Sequence, residues 1–414
     1  MRGRAGDPDP SSSRLAETKP RATKVTYGPG LRHLWLLDPE VTFLNHGSFG
    51  ATPRRVLAVQ DAWRRRMERQ PVEFLSRRHL MPALRNAAAA LAEFVHADPA
   101  DLVFVENATA GVNAVLRSLA LEPGDEILIT DHVYPAVRNT VRYVCERTGA
   151  RMREATLPYP DPHPEAIVEA VAAALSPQVR MAVLDLITSP TGLILPVATV
   201  VARCRAAGAR VLVDAAHAPG MIALDIPGLG ADWVTGNMHK WLFAPKGAGV
   251  LWASPAAQRD LHPTVISHGL GLGFAAEFGW VGTRDPTAWL SVPAALDFYC
   301  AMGGEKIRAH IHDLACRAAD RLAASWRTEV GAAHSMLGAM AAIRLPVAAP
   351  ATREAAAAIH DRLLARHRIE VPVIPFADRL WVRISAQIYN GIEDYDRLAA
   401  AIAEPALIEA AAGR

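Results

Sequence analysis

Short apolar runs recur through the middle of the chain, set apart by longer stretches rich in alanine. Leu102 to Val105, Glu126 to Thr130, Met181 to Leu186, Val211 to Val213, Trp233 to Thr235 and Gly249 to Trp252 have the length and apolar character of buried strands. Tracts such as Ala87 to Ala90 and Ala355 to Ala358, flanked by larger apolar residues, read as helix interiors, since alanine is the best helix former. Strands alternating with helices predict an α/β fold with a mostly parallel sheet covered on both faces. From Ala294 the pattern changes. A long helix to Trp326 is followed by strands at Ala339 to Leu345 and Leu380 to Ile384, with a helix over Arg353 to Arg366 between them. That is a smaller α+β unit. The expected organisation is a disordered tail over residues 1–30, an N-terminal segment over 31–62, a large domain over 63–293 and a small C-terminal domain over 294–414. The tail is polar, with Pro8, Pro10 and the run Ser11 to Ser13, and lacks the apolar core of a signal sequence.

One lysine is out of keeping with this pattern. Lys240 lies between the apolar segments Trp233-Val234 and Gly247 to Trp252, beside His239. Desolvation there lowers the pKa of an amine and makes it a usable nucleophile near neutral pH, the property of lysines that form Schiff bases with carbonyl compounds. Upstream, the run Val211 to Val213 leads directly into Asp214, which places a carboxylate at the carboxyl end of a strand, where open α/β sheets bind ligands. Such an aspartate can pair with a pyridinium nitrogen and keep it protonated. The stretch Leu102 to Val115 reads as strand, small-residue turn and helix, with backbone N–H groups at Thr109, Ala110 and Gly111 forming an anion site at a helix N-terminus. Each feature has a plainer alternative. Lys240 is then a loop lysine, Asp214 a helix cap, His217 a turn histidine and Thr109 an ordinary cap.

Taken in order, these segments resemble the class V aminotransferases of the fold type I pyridoxal-phosphate enzymes, and within them the isopenicillin N epimerase-like branch. The resemblance runs from Phe43 to Asn390. It rests on Leu44 to Pro53, Glu106 to Asn113, Asp131 to Val137, Thr188 to Gly192, Asp214 to His217, the Lys240 motif, Trp280 to Asp285 and Arg383 to Ser385. It implies a seven-stranded large domain, an N-terminal segment packed with the small domain, and pyridoxal 5'-phosphate as cofactor. Lys240 would carry the Schiff base and move the Cα proton, and Asp214 would pair with the ring nitrogen. His217 would approach the phenolic oxygen. Thr109 and Ala110 would hold the phosphate, with Asn237 and His239 beside them. Tyr134 would stack on the ring, a task an aromatic face suits. Ser189 stands where many relatives have asparagine. Thr283 would reach a partner's phosphate across a homodimer with shared active sites. Arg383 would bind the substrate carboxylate, which arginine's planar fork suits, and Asn45 and His46 would add substrate contacts. The segments Phe74 to Arg78 and His268 to Phe274, with Tyr389, would shape the pocket.

Composition changes little. A net charge of +2 over 414 residues gives no electrostatic case for nucleic acid or an anionic membrane. Four scattered cysteines without a CxxC suggest neither zinc nor a disulfide framework, and reduced cytoplasmic thiols are the expectation. The partner is expected to be a small-molecule amino-acid substrate, and no metal is expected. Racemisation, transamination and β-elimination share the first proton abstraction, so the residues do not separate them. The resemblance implies an isopenicillin N epimerase-like epimerase or racemase. A C–S lyase acting on a cysteine conjugate or sulfoxide, as in thiohistidine biosynthesis, is the alternative, ahead of a transaminase. The opposite-face proton carrier would be Tyr134, His46 or His217. Relatives that are cysteine desulfurases carry a cysteine shortly before the carboxylate-binding arginine, and residues Leu345 to Val382 contain none. A non-catalytic relative has no chemical need for Lys240.

Overall fold

The computed structural model describes residues 25–404. Seven strands build the main sheet: β1 Leu102–Val105, β2 Glu126–Thr130, β3 Arg151–Ala155, β4 Val179–Asp185, β5 Arg210–Ala215, β6 Trp233–Asn237 and β7 Gly249–Ala253. Their order across the sheet is β1-β7-β6-β5-β4-β2-β3. Only β7 runs antiparallel to its neighbours, β6 and β1. The strands read as unbroken apolar runs because both faces are covered. Alternate residues go to opposite cores, with Val103, Ile127, Met181, Val183, Leu212 and Leu251 in one and Phe104, Leu128, Ala182, Leu184, Val213 and Val250 in the other. Helices α1 (Ala108–Ser118) and α2 (Pro135–Thr148) cover the first face through Val112, Val115, Val137 and Val141.

Strand β3 was not expected, since its Arg-Met-Arg-Glu-Ala sequence is mostly polar. It forms the sheet edge, where only Ala155 is buried and pairing with β2 supplies the order. The long helix expected from Ala294 is two helices, Val292–Ala301 and Glu305–Trp326, broken at Gly303-Gly304. The C-terminal unit is a three-stranded antiparallel sheet of β8 Met340–Arg344, β9 Val373–Phe376 and β10 Arg379–Ser385, packed against Glu305–Trp326.

Of the tail expected to be disordered, residues 1–24 lie outside the described residues, and 25–30 are held. The Tyr27 hydroxyl donates to the Met302 carbonyl at 2.7 Å and the Gly28 N–H to the Ile388 carbonyl at 2.8 Å. Thr42 and Phe43 pair in parallel with Ile369 and Glu370, and the Leu44 carbonyl accepts the Ser385 N–H at 2.9 Å. The N-terminal segment is therefore stitched to the C-terminal unit through backbone bonds that leave no signature in side-chain pattern. No helix among the described residues is long and apolar enough to cross a membrane.

Candidate active site

A cavity of about 490 Å³ opens at the carboxyl ends of the parallel strands. Lys240 enters it from the turn between β6 and β7, and its surroundings make it a neutral amine. Its Nζ lies 3.1 Å from His217 Nε2, while the Trp241 indole N–H donates to His217 Nδ1 at 3.4 Å. An indole nitrogen only donates, so His217 Nδ1 accepts and the imidazole proton sits on Nε2, where it donates to an unprotonated Nζ. The energetics agree. Burial, and then the Arg383 charge, bring the Lys240 pKa down to about 7 against the opposing pull of Asp214. Burial, then Lys240, hold His217 well below the usual imidazole range.

Asp214 ends β5 and lines the cavity, with Oδ1 accepting the Ala216 N–H at 2.9 Å. Burial raises its pKa, opposed by that N–H and by Lys240. It is thus a buried carboxylate that one more cation would settle as an anion. At the other end, Asn107 caps α1, its side chain accepting the Ala110 N–H at 2.9 Å, and Asn237 Oδ1 accepts the Ala108 N–H at 2.9 Å. The expected row of free donors is therefore shorter than the sequence suggested. Ala110 is engaged by Asn107 and does not line the cavity. Thr109 does, with an N–H that a helix's first turn cannot satisfy internally. His239 lines the same end, its Nδ1 3.2 Å from the Ala248 carbonyl and its pKa lowered to about 4 by burial and Lys240.

Tyr134 and Ser189 also line the cavity. Arg383 stands behind Ser189 and Ser48, donating to the Ser189 carbonyl, to Ser189 Oγ at 3.4 Å and to Ser48 Oγ at 3.0 Å. Its buried Nε has no partner among the described residues. Burial lowers even this guanidinium to about 10. Asn45 accepts from the Ser48 hydroxyl at 2.5 Å and so works one residue removed from the cavity. His46 is not in the cavity wall. Its Nε2 donates to the Lys240 carbonyl at 3.0 Å and its Nδ1 lies 2.8 Å from the Tyr389 hydroxyl. Burial brings its pKa to about 3, so it braces the Lys240 backbone as a neutral ring. Tyr389 is buried beneath it, and neither Phe74 to Arg78 nor His268 to Phe274 reaches the cavity wall of the same chain. Thr283 is exposed and outside the cavity, while its neighbour Arg284 pairs with Glu106 at 2.6 Å and lies over the Trp289 ring at 3.9 Å.

Two features of the wall escaped the sequence reading. Ser48 sits inside the Leu44 to Pro53 motif without any cue to its contact with Arg383. Asp185 closes β4, and the signal for it was present: an acid ending an apolar run, as at Asp214. Gly50 shows how closely the wall is built. At φ 69° an added Cβ would run into the His239 carbonyl and lie 2.9 Å from Lys240 Cα. Gly50→Ala is expected to destabilise the protein by about 2–4 kcal/mol and slow cofactor capture, because the clash falls on the Lys240 backbone. A thermal melt and the growth of the visible cofactor band check this, and wild-type values for both would show that the wall yields.

The sequence model of the family described as Aminotransferase class-V matches residues 50–398. The chain belongs to that family. Among its relatives, isopenicillin N epimerase of Streptomyces clavuligerus is 37% identical over 388 residues, covering 89% of this chain and 95% of the relative. L-cysteine desulfhydrase of Arabidopsis thaliana is 32% identical over 398 residues, covering 88% and 87%. The solved structure of a cystine C–S lyase with its product cysteine persulfide superposes with a TM-score of 0.77 at 24% identity, covering 91% of this chain and 99% of that one. The fold is that of the type I pyridoxal-phosphate enzymes. Pyridoxal 5'-phosphate is the cofactor of this class V enzyme, and the residues fit it. A neutral lysine suits its aldehyde, the buried Asp214 its ring nitrogen, and the first turn of α1 its phosphate.

Proposed function

We propose that this class V enzyme inverts the configuration at Cα of an amino acid, acting as an epimerase or racemase on substrates of the isopenicillin N kind. One observation carries the reading: two side chains able to carry a proton line the cavity from opposite flanks of the strands. Lys240 follows β6 and Tyr134 follows β2, with β5 and β4 between them. The relationship to isopenicillin N epimerases over nearly their whole length supports it.

Bound pyridoxal phosphate withdraws electrons from Cα and so acidifies the Cα–H bond. Lys240, with an amine pKa about 7, takes that proton on one side. The Tyr134 hydroxyl delivers a proton from the other side. One C–H bond breaks and one forms, with no net oxidation, and solvent exchange restores both groups. The positive charge of Arg383 lies close enough to Tyr134 to interact with it. Arg383 holds the substrate carboxylate at the edge formed by Ser48 and Ser189. Asp214 would hold the cofactor's ring nitrogen, His217 and Ser189 its phenolic oxygen, and Thr109, Asn237 and His239 its phosphate. Thr283, exposed in one chain, serves the partner's site in a homodimer. The exposed Val265, Ile266, Leu270 and Leu272, close to it in sequence, supply apolar surface for that contact.

The L-cysteine desulfhydrases among the relatives favour a second reading, in which the same Lys240 step is followed by loss of sulfur from Cβ. Proton NMR in heavy water with isopenicillin N, cysteine and a cysteine sulfoxide conjugate separates the two. Deuterium at Cα with an intact, inverted substrate is the expected result. Pyruvate and a released sulfur fragment would overturn the epimerase and establish the lyase.

A further inference from the structure

Two carboxyl groups, not one, face the floor of the cavity. Asp185 and Asp214 are direct partners in the parallel pairing of β4 and β5, so their side chains project from the same face of the sheet. Both line the cavity and both are buried, at 3% and 4% exposure. Their environments differ. Asp214 has the Ala216 N–H and lies beside the Lys240 amine. Asp185 has its own N–H and that of Tyr134 turned to its carboxyl, and its buried Oδ2 has no partner among the described residues. A buried carboxyl oxygen without a partner calls for a ligand or a retained proton.

Two neighbouring buried carboxyls do not both ionise beside a neutral amine and an arginine bound elsewhere. Asp214 is the member beside the Lys240 amine and placed to meet the cofactor's ring nitrogen, so Asp185 is the member that keeps the proton. Burial and then the Asp214 charge raise its pKa well above the usual carboxylate range.

We propose that Asp185 is a positioning residue that stays a neutral carboxylic acid, anchoring the Tyr134 backbone through one oxygen and offering its Oδ2–H to the cofactor-binding cavity beside Asp214. The groups that face it are Asp214 from β5, Tyr134 from the start of α2 and, across the cavity, Lys240 and His217. Its neutrality matters because a second negative charge on this floor would draw a proton onto Lys240. Its anchoring matters because the Tyr134 N–H, at the N-cap of α2, has no helical acceptor. No other bond to that N–H is seen among the described residues.

The test uses the full chain stripped of cofactor and reloaded with pyridoxal phosphate, comparing wild type, Asp185→Asn and Asp185→Ala. Two readouts are followed, cofactor affinity and the pH midpoint of the rate at which the visible band appears. Asparagine reproduces the uncharged shape, with an amide oxygen for the Tyr134 N–H and an NH₂ in place of Oδ2–H. Asp185→Asn is therefore expected to keep both the affinity and the midpoint. Asp185→Ala is expected to weaken binding by about tenfold, the effect of one or two buried hydrogen bonds, with the midpoint unmoved. A midpoint lowered by about one unit or more in Asp185→Asn would show that Asp185 is charged and overturn the proposal. So would wild-type affinity in Asp185→Ala. If the alanine variant fails to fold, the asparagine variant alone decides through its midpoint. None of these outcomes depends on whether the enzyme proves to be an epimerase or a lyase.

Discussion

Lys240→Ala is expected to leave a folded protein that no longer acquires the visible cofactor band and turns over amino acids about four orders of magnitude more slowly. Among the described residues the lysine makes no ion pair and its Nζ is hydrogen-bonded only to His217, while its backbone is held independently by His46 through the Lys240 carbonyl. The loss should fall on chemistry rather than on folding, so circular dichroism should be unchanged. In the wild type, cofactor capture needs the free amine. A pKa lowered from 10.5 to about 7 places that form in the majority above pH 7. The capture rate should then climb about tenfold per pH unit below 7 and level off above it. A rate still rising at pH 10 would show an ordinary, solvated lysine and sink the account of its environment.

Asp214→Asn carries the second large effect. The amide keeps the size and the Ala216 contact but cannot balance a protonated ring nitrogen. Turnover should fall by about two to four orders of magnitude while the cofactor still attaches through Lys240. The sign of a second effect follows from the same residue. Asp214 raises the Lys240 pKa, so its removal should move the capture midpoint below 7. Wild-type turnover would remove Asp214 from the ring nitrogen. An unchanged capture midpoint would detach it from Lys240.

Much of this was legible because the strands are buried on both faces and end in polar residues. An apolar run that stops at Asp214, or a lysine between two such runs, can be read without coordinates. Sheet edges and N–H accounting cannot. Strand β3 is polar because it is an edge, and the Ala110 donor is taken by Asn107, which a scan for small residues at a helix start does not reveal. His46 was placed among the substrate contacts because its motif lies near the site. Its ring instead turns inward to Trp241, Phe243 and Tyr389, an orientation decided by packing partners nearly 200 residues or more away in sequence. Asp185 went unremarked although it repeats the signal of Asp214, since a strand-terminal acid says nothing about which neighbour it will lie beside.

The antiparallel strand β7 touches both ends of the cavity. The Ala248 carbonyl just before it receives the Met238 N–H at 2.9 Å, two residues from Lys240, while Gly249 at its start lies so close to Asn107 that a Cβ would meet the Asn107 Cα at 2.6 Å. The lysine and the cap of α1 are thus set against the same short piece of backbone, with no flexible link between them. Such a frame behaves as a fixed gauge. It accepts a rigid molecule whose reactive carbon and anionic end are separated by one particular length, and it cannot stretch to seize both ends of a longer or shorter one.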